Sequence, residues 1–207
     1  LLHFPAAAMA LALWQRGIPA DAGTILHGWL AVDKMALFLQ ATVCLGGGFA
    51  TLLAGGYLAE HRIDRGEYYP LLAFSTAGAC LLVSANDMLM LFVALETMSL
   101  GVYAMTGFRR TSARSAEAAL KYFLLGSFAA AMLLMGAALL YAVTGHTDFP
   151  GIANVLHPAT PVALDASDAN GLLQATLRTR ASILSMVLVL VAMAFKVGAV
   201  PFHMWTP

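Results

Sequence analysis

An all-α, polytopic transmembrane bundle is the fold class this sequence predicts, on three observations. Sixty per cent of the 207 residues are hydrophobic, 11% are charged and the mean hydropathy is +0.79, so too few polar side chains exist to coat a water-soluble globule. Apolar runs near or above about 20 residues recur along the chain, the length a helix needs to cross a hydrocarbon core of roughly 30 Å. These runs are continuously apolar and lack the period-two alternation of a barrel strand, so helices are expected instead.

Taken in order, residues 1–31 read as a partial transmembrane helix, over 1–15, followed by a loop. With no initiating Met and a stop at Pro207 directly after a helix-breaking stretch, the chain is expected to be a fragment of a longer protein. Four transmembrane helices are expected within 32–144, over 32–58, 69–86, 88–108 and 116–144. Asn86-Asp87 is the polar break between the second and third of these, and implies a tight hairpin at one membrane face. Small residues punctuate the spans, as in "LGGGFATLLAGG" and "GSFAAAMLLMGAA", and suit close helix packing. Segment 145–180 holds Gly145, Pro150, Gly151, Pro158, Pro161 and Gly171, and reads as an extramembrane loop with short helical pieces at 151–156 and 170–178. The last domain, 181–207, is expected to be a transmembrane helix broken near its end.

Arginine placement sets an expected orientation. Arg62, Arg65, Arg109, Arg110 and Arg114 fall on one side, against Arg16, Arg178 and Arg180 on the other, which puts "FRRTSAR" in the cytoplasm. The net charge is zero and no basic patch forms, which excludes nucleic acid as a partner and leaves the lipid bilayer as the surroundings. Cys44 and Cys80 both lie in apolar runs without metal-ligand spacing, and read as small core residues.

Ionisable groups inside the spans are the candidate functional residues, because each costs a few kcal/mol there. Glu96, in "MLMLFVALETMSLGVYAM", lies about nine residues after Asp87 and so near mid-membrane, with Ser99 and Tyr103 on its face. Lys121 stands one turn after Glu117 in "SAEAALKYFLLG". An interfacial i,i+4 pair, with Ser115 as helix cap, competes there with a buried functional lysine. Lys196 follows about fifteen apolar or small residues, too deep for easy snorkelling. Beyond it, "AFKVGAVPFHMWTP" sets Gly198 and Pro201 before His203; Pro201 removes a backbone donor and clashes with the Val197 carbonyl, so the helix should break between Lys196 and His203. Broken helices at membrane depth line wet cavities or sit within protein, and a histidine that titrates near neutrality suits a proton relay there.

"LFVALETMSLGVYAMTGF", "SAEAALKYFLLGSFAAAMLLMGAALLYAVTG" and "FKVGAVPFHMWTP" together resemble the subunit N family of proton-translocating NADH-quinone oxidoreductase, respiratory complex I, over nearly the whole chain from about Val32. The resemblance implies an antiporter-like fold of two inverted five-helix repeats, each with a broken helix, of which this chain would carry the first. It implies that Glu96, Lys196, Lys121 and His203 carry protons, driven by quinone reduction elsewhere in the complex. It implies no cofactor in this chain, with NADH, FMN, iron-sulfur clusters and quinone (ubiquinone among them) held by other subunits. Other complex I membrane subunits, including neighbouring antiporter-like and small membrane subunits, are the implied partners. The implied location is the bacterial cytoplasmic (inner) membrane, multi-pass, in preference to the mitochondrial inner membrane. A subunit of a multisubunit sodium/proton antiporter, which would usually carry Trp-Leu-Pro where this chain has "WTP", and a structural scaffold whose charges merely pair across helices are the competing readings.

Overall fold

The computed structural model describes residues 2–17, 23–61, 63, 65–157 and 169–201. Its elements run α1 (His3–Arg16), β1 (Thr24–Ile25), β2 (Leu30–Ala31), α2 (Lys34–Glu60), α3 (Tyr68–Leu82), α4 (Met88–Thr106), α5 (Ala113–Thr144), α6 (Phe149–Leu156) and α7 (Ala169–Lys196). Among the described residues, α2, α4, α5 and the 175–196 part of α7 are long and apolar enough to cross a membrane. Helix α3 has 15 residues, about 22 Å of rise, and ends at Leu82, short of the expected 86. The chain divides into two compact units, one of residues 1–86 and 90–124, the other of 87–89 and 125–207.

In the first unit, α1 lies on α2 where Gly47 and Gly48 leave no room for a side chain. A Cβ on Gly48 would come within 2.9 Å of the Phe4 ring, and one on Gly47 within 2.8 Å of Thr76 Oγ1 from α3. Asp33 starts α2 by accepting from the Ala36 N–H at 2.6 Å, an N-cap that satisfies one orphan donor of the first turn. Further along α2, Gln40 donates to Ser84 Oγ at 2.7 Å and to the Cys80 carbonyl at 3.3 Å. The Cys44 and Cys80 sulfurs stand 3.6 Å apart as free thiols.

An element absent from the sequence reading is the antiparallel pair β1–β2, joined by a turn in which Leu26, His27 and Gly28 all have positive φ. No Asn-Gly or Asp-Gly announces that turn, so the usual hairpin signal was lacking. The α3–α4 connection lies against it: Ala31 N–H donates to Ser84 O at 2.7 Å, Asn86 N–H to Trp29 O at 2.9 Å and Asn86 Nδ2 to Gly28 O at 2.9 Å. That pairing takes up the backbone groups of 84–86, which explains why α3 does not continue to 86.

The α4–α5 loop corrects the capping expectation. Helix α5 begins at Ala113, and Ser112, whose Oγ accepts from the Ser115 N–H at 3.3 Å, is its cap. Ser115 lies inside the first turn and donates instead to the Thr106 carbonyl at 2.7 Å, closing the loop onto the end of α4.

In the second unit, α5 stops at Gly145 (φ 74°), whose N–H bonds the Tyr141 carbonyl at 2.7 Å. Asp148 then caps α6 through the Gly151 N–H at 2.8 Å, with Pro150 in the first turn where its missing donor costs nothing. Helical structure over 151–156 was expected, and α6 extends it back to Phe149. The piece expected at 170–178 is not separate: it is the start of α7, continuous from Ala169 to Lys196. Gly136 of α5 packs on α7, where a Cβ would lie 3.0 Å from Ser185 O and 2.8 Å from a Val189 methyl. Ser185 is fully buried.

Candidate functional site

Glu96 is the ninth residue of α4, roughly 12 Å of rise from the helix start and close to the middle of a helix of 19 residues. It is half-buried, next to Ala94 and Leu95, which are buried, and it engages neighbouring groups. The register of this segment is fixed by α3. A Cβ on Gly78 would fall 2.4 Å from the Met98 backbone nitrogen, a Cβ on Gly101 would fall 2.9 Å from the Leu71 carbonyl oxygen, and Ser75 donates to the Met98 carbonyl at 3.0 Å. Three small residues thus bring two backbones together over the turn that follows the carboxyl, which is how small-residue positions hold membrane helices without a hydrophobic driving force.

Ser99 and Tyr103, expected on the Glu96 face, are both buried. The Ser99 hydroxyl donates to the Leu95 carbonyl at 2.6 Å, one turn back. Tyr103 meets Tyr122 edge-on at 4.7 Å and Phe123 at 5.9 Å, so the Glu96 helix packs against the two residues that follow Lys121 in the sequence.

Lys121 is exposed on the surface of this chain and pairs with Glu117 at 2.5 Å. Of the two sequence readings, the geometry is that of the i,i+4 pair at a helix start. Glu96 and Lys121 belong to the first unit and Lys196 to the second.

Lys196 is the last helical residue of α7 and half-buried, Ala192 and Phe195 on the same helix are buried, and Lys196 too engages neighbouring groups. Helix α7 stops there by a Schellman motif. Gly198 has φ 66°, its N–H bonds the Phe195 carbonyl at 3.1 Å, and the Ala199 N–H reaches back to the Ala194 carbonyl at 2.8 Å. The helix therefore stops after Lys196, and Gly198 makes that stop ahead of Pro201. The geometry leaves the amine at the C-terminal end of α7, beside the last carbonyls of the helix. His203 lies outside the described residues.

The sequence reading used Asp87 only as a turn residue. It is 2% exposed, accepts from the Leu89 N–H at 2.7 Å and from the Thr147 hydroxyl at 2.5 Å, and pairs its backbone with Asp148. A carboxylate immediately before an apolar helix is the N-cap signature that marks it. No group of His, Cys, Asp and Glu able to hold a metal ion occurs among the described residues.

Comparison with known proteins gives the family and the fold. The chain is 58% identical over 182 residues to NADH-quinone oxidoreductase subunit N 1 of Sorangium cellulosum and 41% identical over 183 residues to subunit N of Myxococcus xanthus, covering 88% of this chain in each case. It spans 34% and 32% of the length of those two relatives. Its fold matches a chain of respiratory complex I from Thermus thermophilus with a TM-score of 0.69 at 30% identity, over 99% of this chain and 39% of that one. A family model described as the transmembrane region of NADH:quinone oxidoreductase and Mrp antiporters matches residues 85–207, from the turn before α4 through Lys196 and beyond. With more than half its length accounted for in this way, the chain belongs to the NADH:quinone oxidoreductase/Mrp antiporter transmembrane family.

Proposed function

We propose that the chain is part of a subunit N, a proton-translocating membrane-arm subunit of NADH:quinone oxidoreductase, in the cytoplasmic membrane of a bacterium. Glu96 takes up and releases a proton at mid-membrane, Lys196 is the amine whose protonation it controls, and Lys121 and His203 continue the path. Quinone reduction in other subunits drives the cycle, with NADH, FMN and iron-sulfur clusters held there too. Neighbouring antiporter-like and small membrane subunits are the partners. The loop "FRRTSAR" faces the cytoplasm.

The observation that carries this reading is the half-buried carboxyl at the middle of an apolar helix whose register is locked by Gly78, Ser75 and Gly101. A carboxylate held at that depth costs a few kcal/mol, and a purely structural hydrogen-bonding role would be met more cheaply by Gln. The relatives at 58% and 41% identity carry the name subunit N, which favours a quinone-coupled pump over a redox-independent antiporter.

The test is replacement of Glu96 or Lys196 by Ala in the intact complex. Quinone-coupled proton pumping is expected to fall severalfold while NADH oxidation by an artificial acceptor is unchanged. Undiminished pumping in a correctly assembled complex refutes the assignment. Sodium-driven proton exchange without associated NADH oxidation would instead identify an antiporter subunit.

A further inference from the structure

We infer that the groove between the ends of α2 and α4, at the arginine-rich loops, binds one glycerophospholipid molecule with an anionic headgroup. The cavity has a volume of about 660 Å³ and lies wholly within the first unit. Its body is apolar, with Leu53 and Leu58 of α2 facing Val102 and Met105 of α4, and its mouth carries Arg109 and His61. The groove thus changes from hydrocarbon to charge along its length, at the level where both helices leave their apolar runs. A bilayer makes the same change from acyl chain to headgroup at the ends of its spanning helices.

The mouth also carries Tyr57, stacked on the His61 ring at 4.2 Å, and Tyr68, edge-on to Phe108 at 5.5 Å. Amphipathic rings of this kind are enriched at the headgroup level. Charge selects the headgroup. On this face Arg110 is paired with Glu67 at 3.3 Å and Lys121 with Glu117, whereas the Arg109 guanidinium has no ion pair among the described residues. It stands at the cavity mouth with Arg110 and Arg114 close by in sequence, a surplus that a phosphodiester complements.

The experiment uses the full-length protein in its assembled complex, reconstituted with a photoreactive phosphatidylglycerol or the matching phosphatidylcholine, with cross-links mapped by mass spectrometry. Phosphatidylglycerol is expected to label the peptides containing Leu53–Leu58 and Val102–Arg109 in preference to phosphatidylcholine. Arg109→Gln should lower that labelling about fivefold, the factor one basic residue contributes at a membrane surface, and Arg109→Lys should retain most of it. Val102→Trp, which fills the body of the groove, should abolish labelling by both lipids. Equal labelling by the two lipids, no loss with Arg109→Gln in an assembled complex, or protein cross-links from a neighbouring subunit in place of lipid would each overturn the inference. Competition by free glycerol phosphate would also overturn it, because that outcome means a soluble-anion site that needs no acyl chain.

Discussion

Gly78 of α3 stands so close to α4 that a Cβ would lie 2.4 Å from the Met98 backbone nitrogen, two residues past Glu96. Backbone cannot swing aside as a flexible side chain would, so a substitution there must separate the helices. Gly78→Leu is expected to cost at least about 1–3 kcal/mol by overpacking and to lower proton pumping together with stability. Gly46→Ala, where a Cβ meets nothing within 4 Å, should leave both unchanged. Thermal unfolding of the assembled complex and pumping in proteoliposomes check the pair.

Lys121 and Glu117 offer a cleaner separation of chemistry from structure. Both side chains are about two-thirds exposed on this chain, and surface pairs of this kind contribute little to stability. Lys121→Gln should therefore leave the unfolding midpoint of the complex nearly unmoved. A pumping defect in that variant would then be assigned to the missing proton site, and normal pumping would remove Lys121 from the path.

Asp87 makes the opposite case. It is buried, and its carboxylate satisfies the Leu89 N–H and the Thr147 hydroxyl, so Asp87→Ala leaves two donors without a partner in a dry place. Each such orphan costs about 1–3 kcal/mol. Asp87→Asn keeps an acceptor oxygen and should recover part of the loss. Assembly yield and unfolding midpoint measure the series, and equal stability of Asp87→Ala and wild type would contradict it.

How much of this was legible in the sequence depends on the range of the signal. The long helices were, because a continuous apolar run near 20 residues has few other solutions. Glu96 stood out for the same reason, as a charge in a run that excludes charge. Signals that depend on tertiary partners were not legible: the α3 end at Leu82 is set by pairing of 84–86 with a hairpin whose turn has no glycine-led signature, and the Gly198 stop precedes the Pro201 that drew attention first. Ser112 and Ser115 lie within one helical turn of each other, and only the backbone geometry decides which of them caps α5.

Asp148 yields a pH prediction. The Gly151 N–H it accepts, and secondarily the nearby His146, hold its carboxyl below the ordinary aspartate range. A depressed folded-state pKa means that the stabilisation is complete above the unfolded pKa and disappears as pH falls through the lower folded value. Unfolding midpoints of wild type and Asp148→Asn, which can still cap α6, should differ by a constant amount at neutral pH and converge below the ordinary aspartate pKa. A gap that persists at low pH would place the effect elsewhere than in this carboxylate.

Gly198 sets the position of Lys196. Its φ of 66° lies in the left-handed region, where a residue with a Cβ pays roughly 1–2 kcal/mol, and β-branched residues are least able to adopt it. Asn enters this region most readily after Gly, so Gly198→Asn should retain the helix stop and most of the activity. Gly198→Val is expected to disfavour the turn whose N–H groups donate to the Phe195 and Ala194 carbonyls, and so to let α7 run on past Lys196. Pro201 would still stop the helix by Val200, so Lys196 would move from the helix end into its last turn and its amine would be re-aimed. Pumping should fall in the order wild type, Asn, Val, while NADH oxidation by an artificial acceptor stays level across the series. If Val pumps as well as Asn in equally assembled complexes, the stop at Gly198 does not position the proton carrier.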